Sequence, residues 1–160
     1  MNFKTVVYND PLLIKFCSLV HNIETDKEFK RWFTDDRLSR LFYNIELCLI
    51  DGSPISFSGC SILDSKLRVA QQHYTLPEYR KNFRDLFIRK NGFMDRHIET
   101  AKSLNLSTIL ITMHSFNKKT DTVVKIYDKK RKYYRHLKDL KYIGLHKINK
   151  VNQHCYEKKI

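Results

Sequence analysis

The stretch Leu67-Arg68-Val69-Ala70-Gln71-Gln72-His73-Tyr74-Thr75-Leu76-Pro77-Glu78-Tyr79-Arg80-Lys81 decides how the rest of the chain is read. Alternation places Leu67, Val69, Gln71, His73 and Thr75 on one face of a strand and Arg68, Ala70, Gln72, Tyr74 and Leu76 on the other. Pro77 ends the strand, because it has no N–H to give to a sheet ladder. The second half is polar for a central strand. Upstream, Ile45 to Ile50 and Ile55 to Leu63 are β-rich, and Asp51-Gly52-Ser53 and Asp64-Ser65 separate the three runs. Tight turns between such runs predict an antiparallel meander.

Working outward, Phe3 to Tyr8 alternates as a first strand, and Asn9-Asp10-Pro11 is a helix-start signal followed by the stripe Leu13, Phe16, Cys17 and Val20. A second helical piece surrounds Phe29, Trp32 and Phe33, and Leu38, Leu41 and Phe42 continue as a short turn. Downstream, Phe87, Met94, Ile98, Ala101 and Leu104 have helical spacing, with a start near Arg84 or near Gly92. Ser107 to Met113 reads as a buried strand, so helix and strand make a crossover unit and the sheet becomes mixed. After the polar loop His114 to Thr120, a stripe of Val123, Ile126, Tyr127, Tyr133 or Tyr134, and Leu137 predicts a helix with Lys125, Lys129, Lys132 and Arg135 on its other side. Tyr142 to Ile148 and Val151 to Lys158 close the chain as strands. The expected order is β-α-α-β-β-β-α-β-α-β-β: an α/β (α+β) fold with a mixed, mostly antiparallel central sheet of about seven strands flanked by helices.

The 160 residues suit one domain, and 42% hydrophobic with 12% aromatic residues supply a sizeable core. Apolar runs such as Ile109 to Thr112 are too short to cross a bilayer, and the N-terminus has no signal-peptide h-region, so neither secretion nor membrane insertion is expected. Cys17, Cys48, Cys60 and Cys155 form no CxxC pair, which fits reduced thiols in a cytoplasmic setting. The seven histidines lack HxxxH, HExxH or Cys/His ligand spacing, and no metal is expected. Abundant Lys, Asn and Ile fit an AT-rich genome, viral or bacterial. The net charge of +13 is concentrated: residues 114–160 hold 14 basic and 4 acidic groups. That field attracts polyanions, which brings nucleic acid, a nucleotide cosubstrate and acidic partners into consideration.

The order of elements resembles the GCN5-related N-acetyltransferase family, whose fourth and fifth strands splay apart at the acetyl-coenzyme A site. Locally, His73 to Lys81 is similar to the family's fourth strand running into its pyrophosphate-binding loop, and Leu140-Lys141-Tyr142-Ile143-Gly144 is similar to the stretch that opens its sixth strand. The family loop reads Arg/Gln-x-x-Gly-x-Gly/Ala, whereas Arg80 is followed by Lys81-Asn82-Phe83-Arg84-Asp85, with Phe83 and Asp85 at the small positions. A shifted register, Arg89-Lys90-Asn91-Gly92-Phe93-Met94, recovers the first glycine only. The first register is preferred here.

The resemblance implies acetyl transfer from acetyl-CoA to an amine by direct attack on the thioester. It assigns Tyr74, Thr75 and Leu76 to the region of the oxyanion donor and the cosubstrate arm, Asn117 to that arm, and Tyr134 to protonation of the leaving thiolate, with Tyr133 and Tyr127 as alternates. Arg80, Lys81 and Arg84 supply charge for the phosphates, and His73 is a candidate base for the amine. Each has a plainer reading: the tyrosines as core packing, His73 as a sheet hydrogen-bond partner, Asn117 as a turn residue. The Lys129-Lys130-Arg131-Lys132 run is either a solvated helix face or a nucleic-acid footprint. Two other functions stay open, a family-like interaction module without catalysis and a basic nucleic-acid-binding protein. The acceptor is unidentified, and monomer and homodimer both fit.

Overall fold

The computed structural model describes residues 1–69, 73–114, 129 and 135–160. In chain order its elements are β1 (Asn2–Val6), α1 (Pro11–Ile23), α2 (Lys27–Lys30), α3 (Asp35–Leu41), β2 (Asn44–Ile50), β3 (Ser53–Leu63), β4 (Lys66–Val69), β5 (Tyr74–Thr75), a 3-10 turn (Pro77–Tyr79), α4 (Phe93–Ser103), β6 (Thr108–His114), α5 (Arg135–Lys138), β7 (Lys141–Ile148) and β8 (Val151–Lys159). The fold is α/β, a mixed, mostly antiparallel open sheet of eight strands flanked by helices. Within the run from Leu67 to Leu76, Leu67 to Val69 belong to β4, and Tyr74 and Thr75 form β5. The chain forms two compact units, Met1–Ser61 with Gln72–Arg84, and Ile62–Gln71 with Asp85–Ile160.

In the first unit, Asn9 turns the chain at φ 65° and the Asp10 carboxylate accepts the Leu12 N–H at 2.9 Å, with Pro11 opening α1 where its missing N–H costs nothing. Leu13, Phe16, Cys17 and Val20 form the buried stripe. Thr34 caps α3 by accepting the Arg37 N–H. Helix α2 ends at Lys30, before Trp32, which stays at the surface beneath the Arg37 guanidinium, 4.6 Å from its ring centre. β1 pairs with β2, β2 with β3 and β5 with β3, all antiparallel. Phe16, Phe33, Phe57 and Tyr74 pack ring against ring at the centre, with Phe16 and Phe57 wholly buried.

Gly59 in β3 is required by this packing, because a Cβ there would lie 2.3 Å from Cγ of Phe42, whose ring leans on Phe57. Gly59→Ala is therefore expected to cost about 1–3 kcal/mol as overpacking, read from the urea midpoint. An unchanged midpoint would show that the Phe42 ring can step aside.

In the second unit, β4 runs parallel to β6, and β8 pairs antiparallel with both β6 and β7. Leu67, Val69, Ile109 and Ile111 present a wholly buried apolar face, and α4, which packs on β4 and β6, contributes Phe93, Met94 and Ala101. Of the two expected helix starts the later is found. Residues 80–92 are turns, and α4 begins at Phe93 after Asn91 in the left-handed region at φ 59° and Gly92 as N-cap. The Asp95 carboxylate steadies this start by accepting the Asn91 N–H at 2.6 Å, while its other oxygen faces His136 Nε2 on α5 at 2.9 Å. Gly92 is fixed by packing, since a Cβ would meet the Leu86 carbonyl oxygen at 2.2 Å.

Candidate functional site

β5 belongs to the first unit and β4 to the second. The parallel register of β4 with β6 runs from Leu67↔Ile109 to Val69↔Ile111. Beyond that point on β6, Thr112, Met113 and His114 pair with β8 alone among the described residues. In the first unit, Tyr74 and Thr75 pair with Phe57 and Ser56 of β3.

A cavity of about 340 Å³ lies in the first unit, lined by His73, Tyr74, Thr75, Arg80, Phe83 and Arg84. Five of these were singled out from the sequence, and Phe83 joins them as wall. Leu76 is buried and its N–H donates to the Ile55 carbonyl at 2.9 Å, so that amide is committed to the sheet. Lys81 is exposed and stands outside the lining. Asn117, Tyr127, Tyr133 and Tyr134 lie outside the described residues.

Polar contacts fix Tyr74, Thr75 and Arg80 in the cavity wall. The Ser56 hydroxyl donates to the Tyr74 carbonyl at 2.9 Å and shares a 2.7 Å hydrogen bond with the Thr75 hydroxyl. The Tyr74 ring is buried and its hydroxyl donates to Glu24 Oε1 at 2.5 Å. Burial first, then the Glu24 carboxylate, push the Tyr74 phenol up to about 12, so it is a neutral donor at any working pH. Glu24 closes α1 as its C-cap, and nothing in the local sequence marks it as a partner of the strand.

Arg80 is anchored at both ends: Nε donates to the Thr75 carbonyl at 2.8 Å, and its guanidinium lies 5.0 Å from the Tyr74 ring centre. Arg84 meets no described carboxylate. Farther along, Arg89 stands 3.6 Å from Asp85. The His73 side chain is exposed toward the cavity, yet the surrounding protein deprives an imidazolium of hydration and pushes its pKa down to about 4; a hydrogen bond with the Phe57 backbone works the other way. His73 is thus neutral at physiological pH. Two guanidinium groups and a fixed aromatic wall suit an anionic ligand, and the neutral imidazole can take a proton from a second group brought beside it.

No protein-family model and no curated protein matches the sequence. Solved structures match over the full length. An acetyltransferase of the GNAT family from Staphylococcus aureus Mu50 is 16% identical with a TM-score of 0.61, over 99% of both chains. The PaiA N-acetyltransferase of Thermoplasma acidophilum, solved in complex with coenzyme A, is 14% identical with a TM-score of 0.55, over 100% of both chains. The ribosomal-protein-alanine N-acetyltransferase of Brucella melitensis is 10% identical with a TM-score of 0.57, again over 100% of both. From its first strand to its last, this chain has the fold of the GCN5-related N-acetyltransferases.

Proposed function

We propose that the protein is an N-acetyltransferase that moves the acetyl group of acetyl-CoA directly to an amine, its two units acting as one domain over residues 1–160. The observation that carries this reading is the cavity of the first unit walled by His73, Arg80 and Arg84. Full-length coverage by solved acetyltransferases, one of them holding coenzyme A, supports it.

In this reading the cosubstrate supplies an activated acetyl thioester. Arg80, Lys81 and Arg84 bind its phosphates, and Asn117 its arm. The Leu76 amide is committed to Ile55, and the antiparallel register turns the Tyr74 amide toward Phe57 of β3 as well, so the Thr75 amide is the one assigned to the developing oxyanion. As the C–N bond forms, His73 takes the proton from the attacking amine, directly or through water. As the C–S bond breaks, Tyr134 gives its proton to the departing thiolate.

A thiol-release assay over a panel of amines tests the reading. Acetyl-CoA turnover with at least one amine supports it, and turnover that stays at the hydrolysis background throughout contradicts it. The lowered pKa of His73 sets a further expectation. If His73 is the base, the acid limb of kcat/KM lies near pH 4 rather than near 6.5, since activity is lost only when the imidazole gains its proton. His73→Gln removes that limb, and a limb that persists in the variant assigns it to another group.

No described helix is long and apolar enough to cross a membrane. Lys138, Lys141, Lys147, Lys150 and Lys159 are exposed on the last helix and strands, and we read them as a diffuse field that retains nucleic acid at low salt only. Sequence-selective binding at physiological salt would overturn that part.

A further inference from the structure

Glu24 ends α1 as its C-cap with extended backbone, and Thr25 and Asp26 lead from it into α2. From α2, Phe29 sets its ring 5.7 Å from that of Tyr74, and the Glu24 carboxylate takes the Tyr74 hydroxyl hydrogen at 2.5 Å. The corner between the two helices is thereby fastened at two points to a wall of the cavity, through residues of the first unit only. Glu24 itself is half-buried.

The charge of this carboxylate has no use in the fold. Holding the Tyr74 hydroxyl needs only an acceptor oxygen, which a glutamine supplies with the same reach. Among the described residues no basic group forms an ion pair with Glu24, and its second oxygen, Oε2, accepts no hydrogen bond. The acids nearby in sequence are engaged: Asp26 caps α2 by accepting the Glu28 and Phe29 N–H groups, and Glu28 pairs with Arg31. Arg80, the cation on the Tyr74 ring, gives its Nε to the Thr75 carbonyl. Tyr74 stays a neutral phenol, so its hydrogen bond orients the carboxylate without cancelling its charge. A half-buried anion held in place by a neutral donor, with one oxygen to spare, is a binding group for a cation.

Charge of both signs therefore borders the cavity: Glu24 at the tip of Tyr74, and the guanidinium groups of Arg80 and Arg84 in the lining. A molecule with two amines is sorted by this arrangement. Its ammonium end gains from the carboxylate and is repelled by the guanidinium groups, whereas its neutral end tolerates them. Only a neutral amine has the lone pair that attacks a thioester, so the end turned toward the cavity is the reactive one.

We infer that Glu24 Oε2 binds an ammonium group beside the cavity, and that the amine acetylated here carries this ammonium as a second, unreacted group. The second clause rests on the transferase reading above. The acceptor is then a small diamine, not a monoamine whose single nitrogen must react.

The test is the thiol-release assay at fixed acetyl-CoA with linear diamines of three to six carbons, each beside the monoalkylamine of the same length. The best diamine exceeds its monoamine in kcat/KM by about 10-fold or more, the scale of one charge-assisted hydrogen bond and beyond the advantage of two equivalent ends. Glu24→Gln keeps the acceptor for Tyr74 and removes the charge, and the ratio falls to what two equivalent ends give. In the parent protein the preference also declines as sodium chloride is raised, because an ion pair open to water is screened; this arm decides the matter should Glu24→Gln fail to fold. A parent ratio no greater than two equivalent ends give, a preference that Glu24→Gln or salt leaves intact, or turnover confined to monoamines would overturn the inference. If no amine is acetylated, the transferase reading falls, and calorimetric titration of the same diamines decides the cation site alone: binding that Glu24→Gln abolishes upholds it, and no binding at millimolar diamine, or binding indifferent to Glu24, overturns it.

Discussion

Tyr134→Phe is expected to slow acetyl transfer by about 100-fold to 10,000-fold, the range that general acid catalysis contributes, while affinity for coenzyme A stays at the parent value. The change keeps the ring and deletes only the hydroxyl, so a loss confined to kcat reports the proton delivered to the thiolate. Tyr134 directly precedes Arg135, the first residue of α5, and α5 is tied to the start of α4 by the His136 to Asp95 pair. Tyr133→Phe and Tyr127→Phe serve as controls, because only one side of a helix faces a given atom. If a neighbour's variant is slow and Tyr134→Phe is not, the role belongs to that neighbour. If all three remain fast, water or another group protonates the thiolate.

Replacing Arg80, Lys81 and Arg84 together by Ala is expected to weaken coenzyme A binding by roughly 100-fold or more, since phosphate contacts are charge-assisted and Arg80 and Arg84 both line the cavity. The matching control is Arg89→Ala with Lys90→Ala. Arg89 already stands beside Asp85, and Gly92 is occupied by packing against the Leu86 carbonyl, which argues against a close phosphate cradle there. A triple variant that binds like the parent, with a weakened control, would move the phosphates to residues 89–92 at the start of α4.

Most of the fold was legible because its signals are local. The stripe of Leu13, Phe16, Cys17 and Val20 and the turns at Asp51-Gly52 and Asp64-Ser65 follow from periodicity and from residues that tolerate positive φ. What escaped is non-local. Alternation from Leu67 to Leu76 shows which side chains share a face but not which strand lies alongside, so the pairing of β4 with β6 and of β5 with β3 has no mark in the sequence. Phe83 read as an obstacle to a phosphate loop and proves to be cavity wall. Trp32 carried helical spacing but stands exposed under Arg37, because a cation on an aromatic face satisfies it without burial. Glu24 and Arg68 were passed over for one reason: their partners, Tyr74 at a separation of 50 residues and Thr112 at 44, are brought to them only by the fold.

Titration of the full chain with coenzyme A in a calorimeter tests the central claim most directly. The account predicts one molecule bound per chain with micromolar affinity, reduced in the variant lacking Arg80, Lys81 and Arg84. Absence of binding heat at millimolar coenzyme A, in a protein shown to be folded, would contradict it.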